Sequence, residues 1–178
     1  NANAGTGANG MQNAVKTCDM LASELNIKPE QVLPFSTGVI GQQLDLSKFE
    51  SGIPQVSLKI ASDNLAQVAK GILTTDLVEK TCSQTFKVNG EVVTISGIAK
   101  GSGMIRPDMA TMLSFIFTDI EATQAQLQVC LTTATNQSFN RITVDGDTST
   151  NDACTLSATG ASGINVEDCM DEFQQALN

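Results

Sequence analysis

The 178-residue sequence contains no histidine, no tryptophan and no tyrosine. Without an imidazole, neither a Ser-His-Asp triad nor a Cys-His pair can be assembled from it. Seven phenylalanines are its only aromatics, so a core drawn from a 41% hydrophobic composition has to be mostly aliphatic. No apolar run approaches the ~20 residues of a membrane-spanning helix, and no signal-peptide pattern opens the chain. Basic residues are scarce: 10 Lys and Arg against 19 Asp and Glu give a net charge of −9. That balance argues against nucleic acid or an anionic membrane as partner, because neutralising phosphates takes a basic face. An anionic small molecule would have to be met by a local device, such as one lysine or a set of backbone N–H groups. The five cysteines (Cys18, Cys82, Cys130, Cys154, Cys169) are an odd number without C-x-x-C spacing. They read as buried free thiols of a cytoplasmic protein rather than a disulfide framework or a zinc site. The length predicts one domain with a sizeable core.

What is present is concentrated a little past the middle. Lys100-Gly101-Ser102-Gly103-Met104-Ile105-Arg106-Pro107-Asp108-Met109-Ala110-Thr111-Met112-Leu113 is a glycine-rich approach, a proline stop, and Ala-Thr running into an apolar stretch. By spacing alone this is a glycine turn leading into a buried strand. It is also one of the few ways to build a nucleophile without histidine. A threonine hydroxyl needs a base. If the Ala110–Thr111 bond is cut, the freed α-amine of Thr111, with a pKa near ~8, can take the hydroxyl proton. Pro107 stiffens the approach.

Around this segment the patterns predict a loosely alternating α/β chain. Met11, Ala14, Val15, Cys18, Leu21 and Leu25 recur at helical spacing, so residues 10–25 are predicted as an amphipathic helix stopping at Asn26. Residues 30–35 predict a short strand, followed by the turn Ser36-Thr37-Gly38-Val39-Ile40-Gly41. Thr37 and Gly38 pair a hydroxyl with a glycine N–H, donors suited to a developing oxyanion. Residues 45–54 read as polar loop. A helix capped by Ser62 carries Leu65, Val68, Ala69 and Ile72. Asn89-Gly90 between β-prone runs 81–88 and 91–99 signals a type I′ hairpin. Residues 112–118 form an uninterrupted apolar run, hence a strand buried on both faces. A helix over 122–136, strands over 141–144 and 153–158, and a helix over 165–176 complete the chain. Asp145, Asp147 and Asp152 cluster without EF-hand spacing and read as Asx-type turn chemistry. The fold class expected is α/β (α+β), a layered sandwich with a mixed or antiparallel sheet.

The stretch 100–113 closely resembles the self-cleavage segment of the ornithine acetyltransferase family, the glutamate N-acetyltransferases of arginine biosynthesis. Asn1-Ala2-Asn3-Ala4-Gly5-Thr6-Gly7, Ser36 to Gly41 and Ser138 to Asp152 match the same family in order and spacing. The resemblance implies a self-processing, N-terminal-nucleophile-like acyltransferase fold unrelated to a dinucleotide-binding one. It implies autocatalytic cleavage between Ala110 and Thr111, with Thr111 as nucleophile and Thr37 and Gly38 as the oxyanion pair. Substrate would be held by Thr74, Lys100 and Thr111; spacing back from Lys100 favours Thr74 over Thr75. Residues 1–110 would then be part of an α half and 111–178 part of a β half, with the outer ends of both halves missing.

The activity implied is ping-pong acetyl transfer from N-acetylornithine to glutamate, needing no metal or organic cofactor; some members also use acetyl-CoA. The implied partners are these small molecules and the cleaved halves themselves, as a tetramer of two α and two β chains. The family supplies further substrate contacts from a part of the β half later than Asn178, so this piece alone is expected to be inactive. The alternatives are a self-processing amidohydrolase or aminopeptidase, in which water is the acceptor, and a non-catalytic fragment.

Overall fold

The computed structural model describes residues 1–61, 63–106, 109–110 and 112–178, with 109 and 110 by their backbone alone. The expectations at Ser62, Pro107 and Thr111 lie outside the described residues. Where one domain was expected from length, contacts divide the chain into two compact units, Asn1–Leu65 and Ala66–Asn178.

The first unit is helical. Helix α1 (Gly7–Leu25) begins three residues before the expected start and ends as predicted: Asn26 adopts the left-handed conformation (φ 54°), and its N–H closes on the Ala22 and Ser23 carbonyls. The residues it buries are small, Gly10, Thr17 and Ala22. Met11 and Val15, expected in the core stripe, are 69% and 52% exposed. The apolar stripe is wider than the strip that packs against helix α2 (Leu46–Ser57), where Ala14, Thr17 and Leu21 line a groove with Phe49, Ile53 and Val56.

Helix α2 corrects the loop expected over 45–54. Asp45 is its N-cap, its carboxylate accepting from the Ser47 N–H (3.1 Å) and hydroxyl (2.6 Å). Gly52 and Pro54 hid the helix, since both weaken the propensity signal; Pro54 nevertheless stands inside it. The strand expected over 30–35 is also absent. Pro29–Gln31 form a 3₁₀ turn, and the residues after it pair with no ladder.

The second unit carries the sheet, and it is the mixed α/β arrangement expected. After helix α3 (Leu65–Gly71), strands β1 (Lys80–Val88) and β2 (Glu91–Lys100) form the predicted hairpin. Asn89 and Gly90 both take positive φ (52° and 93°), as a type I′ turn demands. Two short strands follow, β3 (Ile105–Arg106) and β4 (Met109–Ala110), paired antiparallel. Strand β5 (Leu113–Thr118) then lies antiparallel to β2, and β6 (Ala153–Ala158) parallel to β5, giving the order β1-β2-β5-β6.

Between β5 and β6 runs α4 (Gln124–Gln137), whose capping box joins Thr123 and Gln126. Residues 165–176 are not one helix but a 3₁₀ turn (Val166–Asp168) followed by α5 (Met170–Leu177). Helices α4 and α5 pack on one face of the sheet around Val93, Ile95, Ile120, Cys130, Val166 and Phe173. Phe173 is fully buried and meets Phe86 edge-on at 6.5 Å; withdrawing such a side chain from water stabilises the unit by about 1.5–3 kcal/mol. Strand β5 is buried at Leu113, Ser114 and Thr118, but Phe117 remains half exposed, so burial on both faces holds only in part.

The strand expected over 141–144 is replaced by a 3₁₀ turn (Phe139–Arg141) and a single bridge from this segment to Ile105. Cys82 is exposed, against the expectation of buried thiols, because it lies on the outer strand of the sheet. Burial pushes the Cys130, Cys154 and Cys169 thiols up, which keeps them protonated.

Candidate active site

Four strand termini meet at one end of the sheet. Strand β1 begins at Lys80, β2 ends at Lys100, β5 begins at Leu113 and β6 begins at Ala153; the register sets Lys100 opposite Leu113 and Leu113 opposite Ala153. The glycine-rich segment leaves this end through Lys100 and returns through Met112. Sequence spacing alone could not bring the two together; the antiparallel pairing of β2 with β5 does.

Lys100 is 1% exposed, and its Nζ donates to Thr74 Oγ1 at 3.2 Å. Two residues singled out as substrate contacts are thus adjacent. Thr75, the alternative, is engaged elsewhere, its hydroxyl 2.6 Å from Ser102 Oγ. Asp76 completes the lacing of this loop onto the end of β2: its Oδ1 accepts from the Gly101 N–H at 2.8 Å and pairs with Lys80 Nζ, which also donates to the Gly101 carbonyl. Burial works to raise the Asp76 carboxyl. The Lys80 ammonium and the Gly101 N–H outweigh it and hold the group below the usual carboxylate range.

Asp152 ties the other side. Its Oδ1 accepts from the Met112 N–H at 2.9 Å while the Ala153 N–H donates to the Met112 carbonyl at 3.0 Å. Residue 112, next in the chain to Thr111, is therefore held by both its backbone groups. Burial pushes the Asp152 carboxyl up, against the Met112 N–H, the Ser149 hydroxyl and the Lys100 charge. Burial likewise pushes the Lys100 ammonium down, against the attraction of Asp76 and Asp152. Asp76 Oδ2 and Asp152 Oδ2 are buried and have no hydrogen-bond partner among the described residues. Among the described residues the buried Lys100 ammonium bonds to a hydroxyl, beside two carboxylates that each keep one buried oxygen unpaired, an arrangement more often found at functional sites than in stabilising ion pairs.

Thr37 and Gly38 belong to the first unit. Their turn is anchored to the first residues of the chain: the Ala2 N–H donates to Val39 O (2.9 Å), the Gly41 N–H to Ala4 O (2.8 Å), and Ser36 Oγ to Ala2 O (2.8 Å). Gly38 has φ 130°, and a Cβ there would approach the Asn1 nitrogen at 3.2 Å, so glycine is required. Among the described residues the Thr37 hydroxyl and the Gly38 N–H make no hydrogen bond. They are half-buried and exposed donors respectively, with capacity left for an anion. Thr111, the expected nucleophile, lies outside the described residues.

Sequence reasoning missed Asp76, which carried no motif, and read Asp152 as turn chemistry. Asp145 does make an Asx-type contact, with the Asp147 N–H at 3.4 Å. Asp152 instead belongs with Lys100. Among the described residues no group of three acidic or sulfur ligands is arranged to hold a metal ion, and no helix is long and apolar enough to cross a membrane.

A lysine, Thr74 and two carboxylates gather at the strand ends of an α/β scaffold, beside the strand that follows Thr111. The ArgJ family model matches residues 1–178, and the chain belongs to the ArgJ family. The arginine biosynthesis bifunctional protein ArgJ of Pseudomonas syringae pv. tomato is 48% identical over 164 residues, which are 92% of this chain and 40% of that protein. The crystal structure of the arginine biosynthesis bifunctional protein argJ from Bacillus halodurans superimposes with a TM-score of 0.53 at 38% identity, covering 59% of this chain and 55% of that one. The chain thus spans well under two thirds of the length of either relative.

Proposed function

We propose that this chain is the central part of an enzyme that transfers an acetyl group from N-acetylornithine to glutamate in arginine biosynthesis, after cutting itself between Ala110 and Thr111. The observation that carries the reading is the buried Lys100 ammonium, donating to Thr74 at 3.2 Å and set in register opposite the start of β5.

In this scheme the Thr111 hydroxyl attacks the Ala110 carbonyl, the acyl group shifts from nitrogen to oxygen, and water hydrolyses the ester. Residues up to Ala110 then belong to one chain and residues from Thr111 to another, assembled as two copies of each. The new α-amine of Thr111 accepts the hydroxyl proton as Thr111 Oγ attacks the acetyl carbonyl, and returns it to the departing ornithine nitrogen. Glutamate's amine attacks the acetyl-threonine ester, acetylglutamate leaves, and the hydroxyl is restored. Thr37 Oγ1 and the Gly38 N–H stabilise the oxyanion in each step. Lys100 and Thr74 hold the carboxylate of the amino acid. The scheme needs no metal or organic cofactor, and acetyl-CoA serves as an additional donor if the site admits it.

Intact-mass measurement of the full-length protein tests this directly. Two chains separating between Ala110 and Thr111 are expected, with one uncut chain for Thr111→Ala. Incubation with acetylornithine and glutamate should yield acetylglutamate. Free acetate as the product would instead make water the acceptor, and two chains in Thr111→Ala would remove Thr111 from the mechanism.

A further inference from the structure

The segment between β2 and β5 is gripped from a part of the chain that the substrate-holding residues do not use. Met104 takes φ 55°, a left-handed conformation unfavourable for a side chain with a Cβ. Its N–H donates to Asp145 Oδ2 at 2.8 Å. The next residue, Ile105, exchanges both backbone hydrogen bonds with Val144 (3.1 and 2.6 Å), and its carbonyl also accepts from Thr143 Oγ1 at 3.3 Å. Ile105 is in turn the antiparallel partner of Ala110, as Arg106 is of Met109. A continuous backbone path therefore runs from Thr143, Val144 and Asp145 through Met104 and Ile105 to Ala110, whose carbonyl carbon is the acyl centre of the proposed scission.

We infer that Asp145 is a positioning residue for self-cleavage: by holding the Met104 N–H it fixes the left-handed residue through which the chain enters β3, the partner strand of β4, and so aligns the Ala110 carbonyl. The inference rests on cleavage at Ala110–Thr111 as proposed above. Asp145 touches no reacting atom. Its part is to hold in place a backbone geometry that methionine does not favour by itself, the kind of local strain that persists only when surrounding contacts determine it. Residue 145 also takes positive φ (60°), with Gly146 following at 76°, so the carboxylate is presented by a turn whose own shape is closely specified. Once the chain is cut, Ala110 is no longer an acyl donor, and the clamp has no further part in acetyl transfer.

The test is a time course of scission in full-length protein, followed on denaturing gels, with transfer kinetics measured after cutting is complete. Asp145→Ala should slow scission by about tenfold, the loss of one hydrogen bond to a charged acceptor, while kcat and KM of the fully cut protein stay at wild-type values. Asp145→Asn keeps an acceptor oxygen and should cut at close to the wild-type rate. Thr143→Val, nearly isosteric, should slow scission by about threefold and covers the case in which Asp145→Ala does not fold. The inference is overturned if Asp145→Ala or Thr143→Val cuts as fast as wild type, if Asp145→Asn is as slow as Asp145→Ala, or if transfer falls in parallel with scission. Wild-type protein that never cuts would instead overturn the proposed function, a separate result.

Discussion

Replacing Lys100 by methionine separates binding from stability. The side chain is 1% exposed and, among the described residues, its ammonium donates to a neutral hydroxyl, that of Thr74. An ammonium and a substrate carboxylate about 4 Å apart at an effective dielectric near 20 attract by about 4 kcal/mol. Allowing for residual screening, a loss of 2–4 kcal/mol corresponds to a fall of about 30- to 1,000-fold in kcat/KM. Stability should move the other way or stay put. Methionine spares the unit the cost of keeping an ammonium from water, while Asp76 retains Lys80 and the Gly101 N–H and Asp152 retains the Met112 N–H. A gain of up to about 1 kcal/mol is expected, or about 2–4 °C in melting temperature for a chain of this size. The assay is steady-state kinetics alongside thermal unfolding of the full-length protein. A kcat/KM within fivefold of wild type would remove Lys100 from substrate binding. A melting temperature lowered by more than about 4 °C would make it a structural residue.

Thr37→Val should lower the transfer rate by about 10²-fold or more if its hydroxyl meets the oxyanion, with unchanged melting; unaltered turnover would leave the turn a purely structural role. Asp152→Asn should raise the melting temperature at neutral pH. Burial raises the folded-state pKa of this carboxyl, so its proton-linked stabilisation is present only at acid pH and is lost as pH rises through that value. The advantage of asparagine should accordingly shrink as pH falls towards 4; an advantage of constant size across the range would contradict the burial argument. Gly10→Ala should destabilise the first unit by about 1–3 kcal/mol, because a Cβ there would lie 1.9 Å from Thr6 Oγ1 and 2.8 Å from Asn3 Oδ1. Denaturant unfolding reads this, and a midpoint equal to wild type would show that the opening Asn-Gly turn can rearrange.

How much was legible in the residues depended on the range of the interactions. The Asn89-Gly90 hairpin and the stop at Asn26 were readable because each is decided within a few residues, by a left-handed turn or an αL cap. The α2 helix was not, because Gly52 and Pro54 speak against a helix locally and tertiary packing on α1 overrides them. The strand expected over 30–35 failed for the complementary reason: apolar residues in a row need a ladder partner, and among the described residues none pairs with them.

Of the candidate site, sequence alone determined which residue types were available: no imidazole, one threonine behind a glycine-rich approach, and a lysine at the end of a hairpin strand. Tertiary structure alone decided their company. Asp76 and Asp152 reach the Lys100 neighbourhood from 24 residues before it and 52 after it in the chain, and the grip of Asp145 on Met104 spans 41 positions. Local preference is set by each residue's own dihedral freedom and side-chain chemistry. The meeting of distant charges is set by sheet register, which no short stretch of chain contains.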